Sequence, residues 1–233
     1  MKKSEQIKSD LKVVSDPAKA VELARFFKTG KGQYGEGDIF WGIKVPVQRE
    51  IAKRHTDAAL KDIGELLDEP VHECRLTALL ILVEQYSKSD ETSRKKIFDF
   101  YLSKTDRINN WDLVDLSASK ITGHYLSDKD RTILYSLADS SSLWEQRIAV
   151  VSTHHFIKNR DYADTIAICE KLINHRHDLI HKATGWMLRE AGKRDEKVLL
   201  KFLDKHHKSM PRTMLRYSIE KLDEDQRKKY IAK

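Results

Sequence analysis

The stretch VHECRLTALLILVEQY, Val71–Tyr86, decides the fold class of this 233-residue chain. Its apolar residues recur at three- and four-residue spacing, which is typical of a helix with a buried face. The longest apolar run, Leu76–Val83, is far shorter than the roughly 20 residues needed to span a bilayer. We therefore predict a buried helix and no membrane span. The whole chain contains only 9 Gly and 4 Pro, and no segment shows a strand pattern, so the predicted fold is all-α.

The same spacing predicts further helices on both sides of this stretch. They cover Asp16–Phe27, Glu91–Lys104, Trp111–Leu126, Asp128–Asp139, Leu143–Ile157, Asp161–Ile173, Ile180–Gly192, Glu196–His206 and Pro211–Leu222. Asp16 is the expected N-cap of the first, with Pro17 in the first helical position.

The predicted helices repeat in pairs. Superposing Arg75, Asp112, Arg147 and Lys182 as equivalent positions gives spacings of 37, 35 and 35 residues. A period of two helices indicates an α-solenoid of HEAT-like two-helix repeats, forming a single domain over residues 1–233. A concave groove lined by the second helix of each pair is the expected binding surface.

The net charge of +7 is unevenly distributed. Residues 171–216 contain 12 Lys/Arg and 5 Asp/Glu, so this stretch alone carries +7. A basic face favours a polyanionic partner, and we expect the groove to be basic, although a solvated lysine-rich surface gives the same composition.

The cysteines and the start of the chain indicate the compartment. Cys74 and Cys169 form no CxxC motif and fall in apolar segments, which indicates reduced core thiols in a cytoplasmic protein. The opening MKKSEQIKSD has no apolar region behind its lysines, so no signal peptide is expected.

One carboxylate interrupts the repeat pattern. Three positions after each anchor stand Ala78, Asp115, Val150 and Gly185, and only Asp115 is charged. Such a break is typical of a functional site, although Asp115 could equally be a helix-face residue paired with an arginine. Asp112, in the same turn, is expected to be structural and paired with a basic residue.

Aromatic and cationic residues recur near this position. Trp111 lies four residues before Asp115, on the same helix face. Arg147 holds the anchor position one repeat later, Trp186 follows the next anchor by four residues, and Arg189 follows Trp186 by three. Stacked repeats would bring them onto one strip of the concave surface, although each tryptophan alone is more often a core residue.

This combination of residue types suits one reaction. Indole faces attract cationic rings, arginines bind phosphates, and a carboxylate stabilises developing positive charge. Hydrolysis of an N-glycosidic bond passes through an oxocarbenium-like transition state, and an N3- or N7-alkylated purine already carries its charge. No general acid, metal or cofactor is then required.

Five segments carry a resemblance that runs through almost the whole chain. They are QYGEGDIFWGIKVPVQR (Gln33–Arg49), NWDLVD (Asn110–Asp115), LWEQRIA (Leu143–Ala149), HKATGWMLREAGKRD (His181–Asp195) and MPRTMLRYSIEKL (Met210–Leu222). In these segments the sequence resembles the AlkD-like family of DNA alkylation repair glycosylases, which are built from HEAT-like repeats. The resemblance implies activity on alkylpurines in double-stranded DNA.

The resemblance also implies roles for individual residues. The catalytic aspartate falls on Asp115, and the two active-site tryptophans fall on Trp111 and Trp186. Arg147 would hold the DNA backbone beside the lesion, with Arg189 as a further phosphate contact. The further basic residues expected to bind DNA are Lys182, Arg212 and Arg216. An aromatic that is tyrosine in some members falls at Phe26, a possible lesion contact that lacks the hydroxyl.

Other signals are weaker. GKGQYG, Gly30–Gly35, fits GxGxxG by letters, but no strand precedes it and we predict a loop between helix pairs. His177 and His181 are four apart without an HExxH motif or an evident third ligand, so no metal site is predicted.

The leading hypothesis is a monofunctional glycosylase, since no lysine is clearly placed for a Schiff base. It is expected to be a cytoplasmic monomer with no obligate protein partner. The alternative is a HEAT-like module that binds nucleic acid or protein without chemistry. Such a module needs the arginines but has no use for Asp115.

Overall fold

The structure of the protein is a computed structural model, and it describes residues 2–231. Within this range the chain forms helices and no strand, and an isolated bridge joins Ile39 to Val71. The predicted all-α fold is confirmed. Among the described helices, none is long and apolar enough to cross a membrane.

The chain divides into two compact units, the first ending at Ser117 and the second beginning at Ala118. The helices of the first unit are α1 (Lys3–Val13), α2 (Pro17–Phe26), α3 (Val45–Arg54), α4 (Leu60–Leu67), α5 (His72–Lys88), α6 (Glu91–Ser103) and α7 (Trp111–Ser117), with a 3-10 turn at Thr105–Arg107. The second unit opens with a π-helical turn at Ser119–Gly123 and continues with α8 (Thr132–Asp139), α9 (Leu143–Ser152), α10 (His154–Lys158), α11 (Ala163–Lys171), α12 (Asp178–Gly192), α13 (Glu196–His206), α14 (Arg212–Ser218) and α15 (Glu224–Ile231). The single-domain organisation stays a prediction.

Helix α5 is the centre of the first unit. It packs against α1, α3, α4, α6 and α7, and every residue from His72 to Leu82 is buried. The buried helix predicted from this stretch is confirmed. Because α5 contacts α7 directly, its N-terminal residues lie where they can fix the position of α7.

Helix α12 is the centre of the second unit. It packs against α9, α10, α11, α13 and α14. The approach of α14 is close, because a Cβ added at Gly185 would lie 2.6 Å from the carbonyl oxygen of Met214. Cys169 lies in the core beneath α12, and both cysteines are buried and not disulfide-bonded.

The predicted start of α2 is confirmed. The Asp16 side chain accepts a hydrogen bond from the Lys19 backbone N–H at 3.1 Å, and Pro17 is the first helical residue. The segment GKGQYG lies in the loop between α2 and α3, as predicted, and its Gly32 has a positive φ of 75°.

Several predicted helices are shorter than their apolar patterns, among them α8 and α11, which begin at Thr132 and Ala163. The helix expected over Trp111–Leu126 ends at Ser117 and gives way to the π-helical turn, and the one expected over Leu143–Ile157 divides at Thr153 into α9 and α10. The two backbones approach closely where these helices are interrupted, since a Cβ on Gly123 would lie 2.2 Å from the Ser152 carbonyl oxygen. The helix expected over Pro211–Leu222 ends at Ser218, where its cap residue Ile219 leaves helical geometry.

Candidate functional site

The first turn of α7 presents the two central residues of the predicted site. Trp111 and Asp115 are half-buried, whereas the intervening Asp112, Leu113 and Val114 are buried. Residues four apart lie on one helix face, so the indole and the carboxylate are presented on the same side of α7.

Asn110 fixes the start of this helix. Its side-chain oxygen accepts a hydrogen bond from the Trp111 backbone N–H at 2.8 Å, and its Nδ2 donates to Asp38 at 3.0 Å. Asn110 is itself fully buried. The backbone at Trp111 is therefore tied to the loop between α2 and α3.

Four aromatic side chains pack together at this point, and we call them the aromatic wall: Phe26, Phe27, Phe40 and Trp111. Phe27 stacks on Trp111 with ring centroids 5.0 Å apart and an interplanar angle of 12°. Phe40 stacks on Phe27 at 5.0 Å, and Phe26 meets Trp111 edge-on at 5.8 Å. Phe26 is 63% exposed, so the structure brings this predicted lesion contact beside Trp111 and leaves it accessible.

Beneath the wall, the buried ring of His72 lies between two aspartates. Its Nε2 is 2.8 Å from an Asp112 oxygen, and its Nδ1 is 3.2 Å from an Asp38 oxygen. Arg75 donates to the other Asp38 oxygen at 2.5 Å. We call these four residues the ion network. The structural role predicted for Asp112 is confirmed, and its partner is His72.

The charges of the network shift the titration of its members. Burial alone lowers the pKa of His72, but the charge and hydrogen bond of Asp112, helped by Asp38, outweigh it and raise the pKa to about 9. Burial raises the pKa of Asp38, yet its hydrogen bond to His72 and the charge of Arg75 bring the net pKa below the ordinary value. At neutral pH the network therefore holds an imidazolium and an ionised Asp38.

A buried glutamate holds the loop that supplies Phe40. The Glu73 carboxylate accepts hydrogen bonds from the backbone N–H groups of Trp41, Gly42 and Ile43 at 2.8–3.1 Å. Gly42 has a positive φ of 83°, and a Cβ there would lie 2.0 Å from the Asp16 carbonyl oxygen, so only glycine fits. The motif Gln33–Arg49 thus supplies Asp38 to the ion network and Phe40 to the aromatic wall.

In the second unit, Trp186 is half-buried on α12 beside His154. The ring centroids of Trp186 and His154 are 5.7 Å apart. Burial and the charge of Lys158 lower the pKa of His154 to about 4, so its ring is neutral at neutral pH. The preceding Gly185 packs against α14, which holds the backbone at Trp186 closely.

Arg147 is more deeply placed than a phosphate-binding residue was expected to be. It is 5% exposed, and its Nη1 donates to the Leu179 carbonyl oxygen at 2.6 Å. This bond joins α9 to α12, so Arg147 has a structural role in the second unit. Its predicted contact with DNA stays a prediction.

The other predicted cations differ in exposure. Arg189 pairs with Glu220, and its side chain is 19% exposed. Lys182 pairs with Asp178 at 2.7 Å. Arg212 and Arg216 are exposed one turn apart on α14. Arg212 and Arg216 therefore fit the prediction of a surface contact most simply.

The two histidines considered as metal ligands have roles at the start of α12. His177 Nδ1 accepts from the Leu179 backbone N–H at 3.1 Å, and the His181 ring bonds the His175 carbonyl oxygen. The four-residue spacing of His177 and His181 therefore belongs to the structure of the helix start.

His72, Glu73 and Asp38 were not identified from the sequence. His72 and Glu73 stand at the edge of the apolar run of α5 and look like the polar start of a core helix. The only sequence signal was polarity inside a buried segment, and the partners of His72 are 34 and 40 residues away.

Comparison with known proteins supplies the family. Residues 7–222 match the family described as DNA alkylation repair enzyme. A solved structure described as a predicted DNA alkylation repair enzyme from Enterococcus faecalis is similar, with a TM-score of 0.69 at 14% sequence identity. The match covers 90% of this chain and 97% of that one, and it shows a shared fold. No curated protein matches the sequence.

Proposed function

This chain belongs to the DNA alkylation repair enzyme family, and we propose that it is a monofunctional glycosylase for N3- and N7-alkylated purines in duplex DNA. The observation that carries the proposal is the first turn of α7. An indole and a carboxylate lie on one face of this helix, and buried hydrogen bonds hold the helix start beneath them. A module that only binds DNA gains nothing from a fixed carboxylate, which repels phosphate.

The proposed reaction breaks the bond between C1′ of the deoxyribose and the purine nitrogen. Both bonding electrons leave with the purine and neutralise its positive charge, so no acid has to protonate the leaving group. Asp115 stabilises the positive charge that develops on the sugar and orients a water molecule. The water oxygen bonds to C1′ and its proton passes to the carboxylate or to solvent, which leaves an abasic site.

The magnitude of this effect is sufficient for a labile substrate. Two unit charges about 4 Å apart interact by roughly 4 kcal/mol at an effective dielectric near 20. If the interaction exists only in the transition state, it accelerates the reaction by about three decades.

The remaining residues are proposed to bind the DNA. Trp111 and Phe26 offer a rigid aromatic surface for the damaged nucleotide, since Phe27 stacks on the indole and Phe40 stacks on Phe27. In the second unit, Trp186 is proposed as a second nucleotide contact. The cations proposed to contact phosphates are Arg147, Lys182, Arg189, Arg212 and Arg216.

The proposal is tested by single-turnover release of 7-methylguanine from duplex DNA. We expect release by the wild type and a rate lower by up to about a thousandfold for Asp115→Asn, with duplex binding retained or tighter. The product strand should stay uncut until alkali is added, because the reaction is hydrolysis alone.

Asp112→Asn, three residues away on the same helix, shows the effect of destabilising α7 while the Asp115 carboxylate is kept. It removes a buried partner of His72, so we expect a lower melting temperature. Equal release by the wild type and Asp115→Asn would exclude Asp115 as a catalytic residue. Tight binding without release by either protein would identify a non-catalytic DNA-binding module instead.

A further inference from the structure

His72 is a buried ionisable ring that contacts α7, and the proposed reaction does not use it. It is 2% exposed and contacts α7 through Asp112 and the α2–α3 loop through Asp38. It also packs on the aromatic wall, with its ring centroid 4.7 Å from that of Phe40 and 4.9 Å from that of Phe27.

The partners of this ring favour its charged form. Each ring nitrogen of His72 faces a carboxylate oxygen, and these partners outweigh burial and raise the pKa of the ring to about 9, so both nitrogens carry a proton at neutral pH and donate. The ring is therefore an imidazolium. The charged groups that face it are Asp38 from the loop, Asp112 from α7 and Arg75 from its own helix.

The imidazolium connects to Trp111 by two routes. The first passes through Asp38 to Asn110, whose side chain accepts from the Trp111 backbone N–H. The second passes through Phe27, whose ring packs on His72 at a tilted angle of 41° and stacks on the indole of Trp111. One route fixes the backbone at the start of α7, and the other fixes the ring.

We propose that His72 is a positioning residue, which as an imidazolium holds the first turn of α7 and the Trp111 ring in the orientation that presents Trp111 and Asp115 to substrate. This inference rests on the proposed glycosylase function. His72 does not touch substrate; it acts through Asp112, Asn110 and Phe27.

The test compares His72→Gln with the wild type in single-turnover release of 7-methylguanine. Glutamine keeps one donor but has no charge, so the first turn of α7 loses its fixed position. A displacement on the order of 1 Å at a reacting group costs about 100-fold, and we expect a fall of that order in the maximal rate with little change in duplex affinity. The wild-type rate should also decline near pH 9, and this decline should be absent in His72→Gln.

Thr77→Val is the matched control. It removes a buried hydrogen bond in the same helix, from Thr77 to Gln48 at 3.3 Å, without touching the ion network. The double variant His72→Gln/Asp112→Asn returns the network to zero net charge. It shows whether a loss of rate in His72→Gln comes only from a loss of stability. We expect the double variant to regain melting temperature but not rate.

A measurement that needs no turnover separates the two proposals. The indole N–H resonance of Trp111 should titrate near pH 9 in the wild type and stay constant in His72→Gln. If the wild type releases no base but this titration is seen, the proposed function fails and the positioning role stands. A resonance that does not titrate, or equal rate losses in His72→Gln and Thr77→Val, would overturn the positioning role.

Discussion

Arg147 is predicted to bind DNA, and in the structure it also makes a buried contact within the protein. Its guanidinium donates to the Leu179 carbonyl oxygen, and most of the residue is buried. Arg212 is exposed on α14 of the same unit. Substituting each arginine separately therefore compares the stability lost with a buried hydrogen bond and the stability lost with a surface charge.

We expect Arg147→Ala to lower the free energy of unfolding by about 1–3 kcal/mol, because a buried carbonyl loses its donor. Arg212→Ala should change it by less than about 0.5 kcal/mol. If Arg212 contacts phosphate, its loss should reduce the slope of log affinity against log salt by about one unit. Urea unfolding and duplex titrations at several salt concentrations measure both effects. An Arg147→Ala protein of unchanged stability would show that the Leu179 bond is dispensable.

At the scale of elements, the π-helical turn Ser119–Gly123 divides a segment whose apolar pattern is continuous. The apolar pattern predicts which residues are buried, but it does not predict where two backbones approach closely. Gly123 was not distinguishable in the sequence from Gly64, another glycine with helical neighbours. In the structure, a Cβ at Gly64 would make ordinary contacts at 3.7 Å with the Phe100 ring, whereas one at Gly123 would overlap Ser152.

Gly123→Ala should therefore destabilise the protein by more than about 1 kcal/mol, because the obstacle is backbone and cannot rotate away. Gly64→Ala should be neutral or stabilising by up to about 1 kcal/mol, since alanine restricts the unfolded chain. Chemical denaturation of both variants is the measurement. A Gly123→Ala protein as stable as the wild type would mean that the turn relaxes without cost.

The start of α2 and the outer face of α7 were predictable, because they follow from local chemistry. The cap by Asp16 and the shared face of Trp111 and Asp115 depend on residues within four positions. The ion network was not predictable, since Asp38, His72 and Asp112 come from three segments and each resembles an ordinary polar residue in its own segment. Arg147 illustrates the same limit, because its depth depends on the Leu179 carbonyl, 32 residues away.

At the scale of the whole molecule, two histidines set opposite limits on stability. The pKa of His72 is raised to about 9, so its contribution is complete below about 6.5 and is lost as the pH rises through 9. The pKa of His154 is lowered to about 4, so the folded state is penalised as the pH falls below about 6.5, where the unfolded ring takes up a proton. Asp38, whose pKa is lowered, adds to the loss in acid.

We expect the melting temperature to be highest near pH 6–7 and to fall on both sides. His72→Gln should flatten the alkaline limb, and His154→Gln should flatten part of the acid limb between about pH 6.5 and 4. Thermal melts of the three proteins from pH 4 to 10 measure these limbs. An alkaline limb unchanged in His72→Gln would place its origin in another group.

The ion network combines two cations, His72 and Arg75, with two anions, Asp38 and Asp112. Replacing any one of them by a neutral residue leaves an unbalanced charge in the interior, whereas replacing one cation and one anion together does not. The four positions should thus show strong epistasis: each substitution is harmful alone and tolerable beside the matching one. Sequence drift at this point of the fold would have to proceed in paired steps, which makes these positions slow to change even though none of them touches DNA in the proposed reaction.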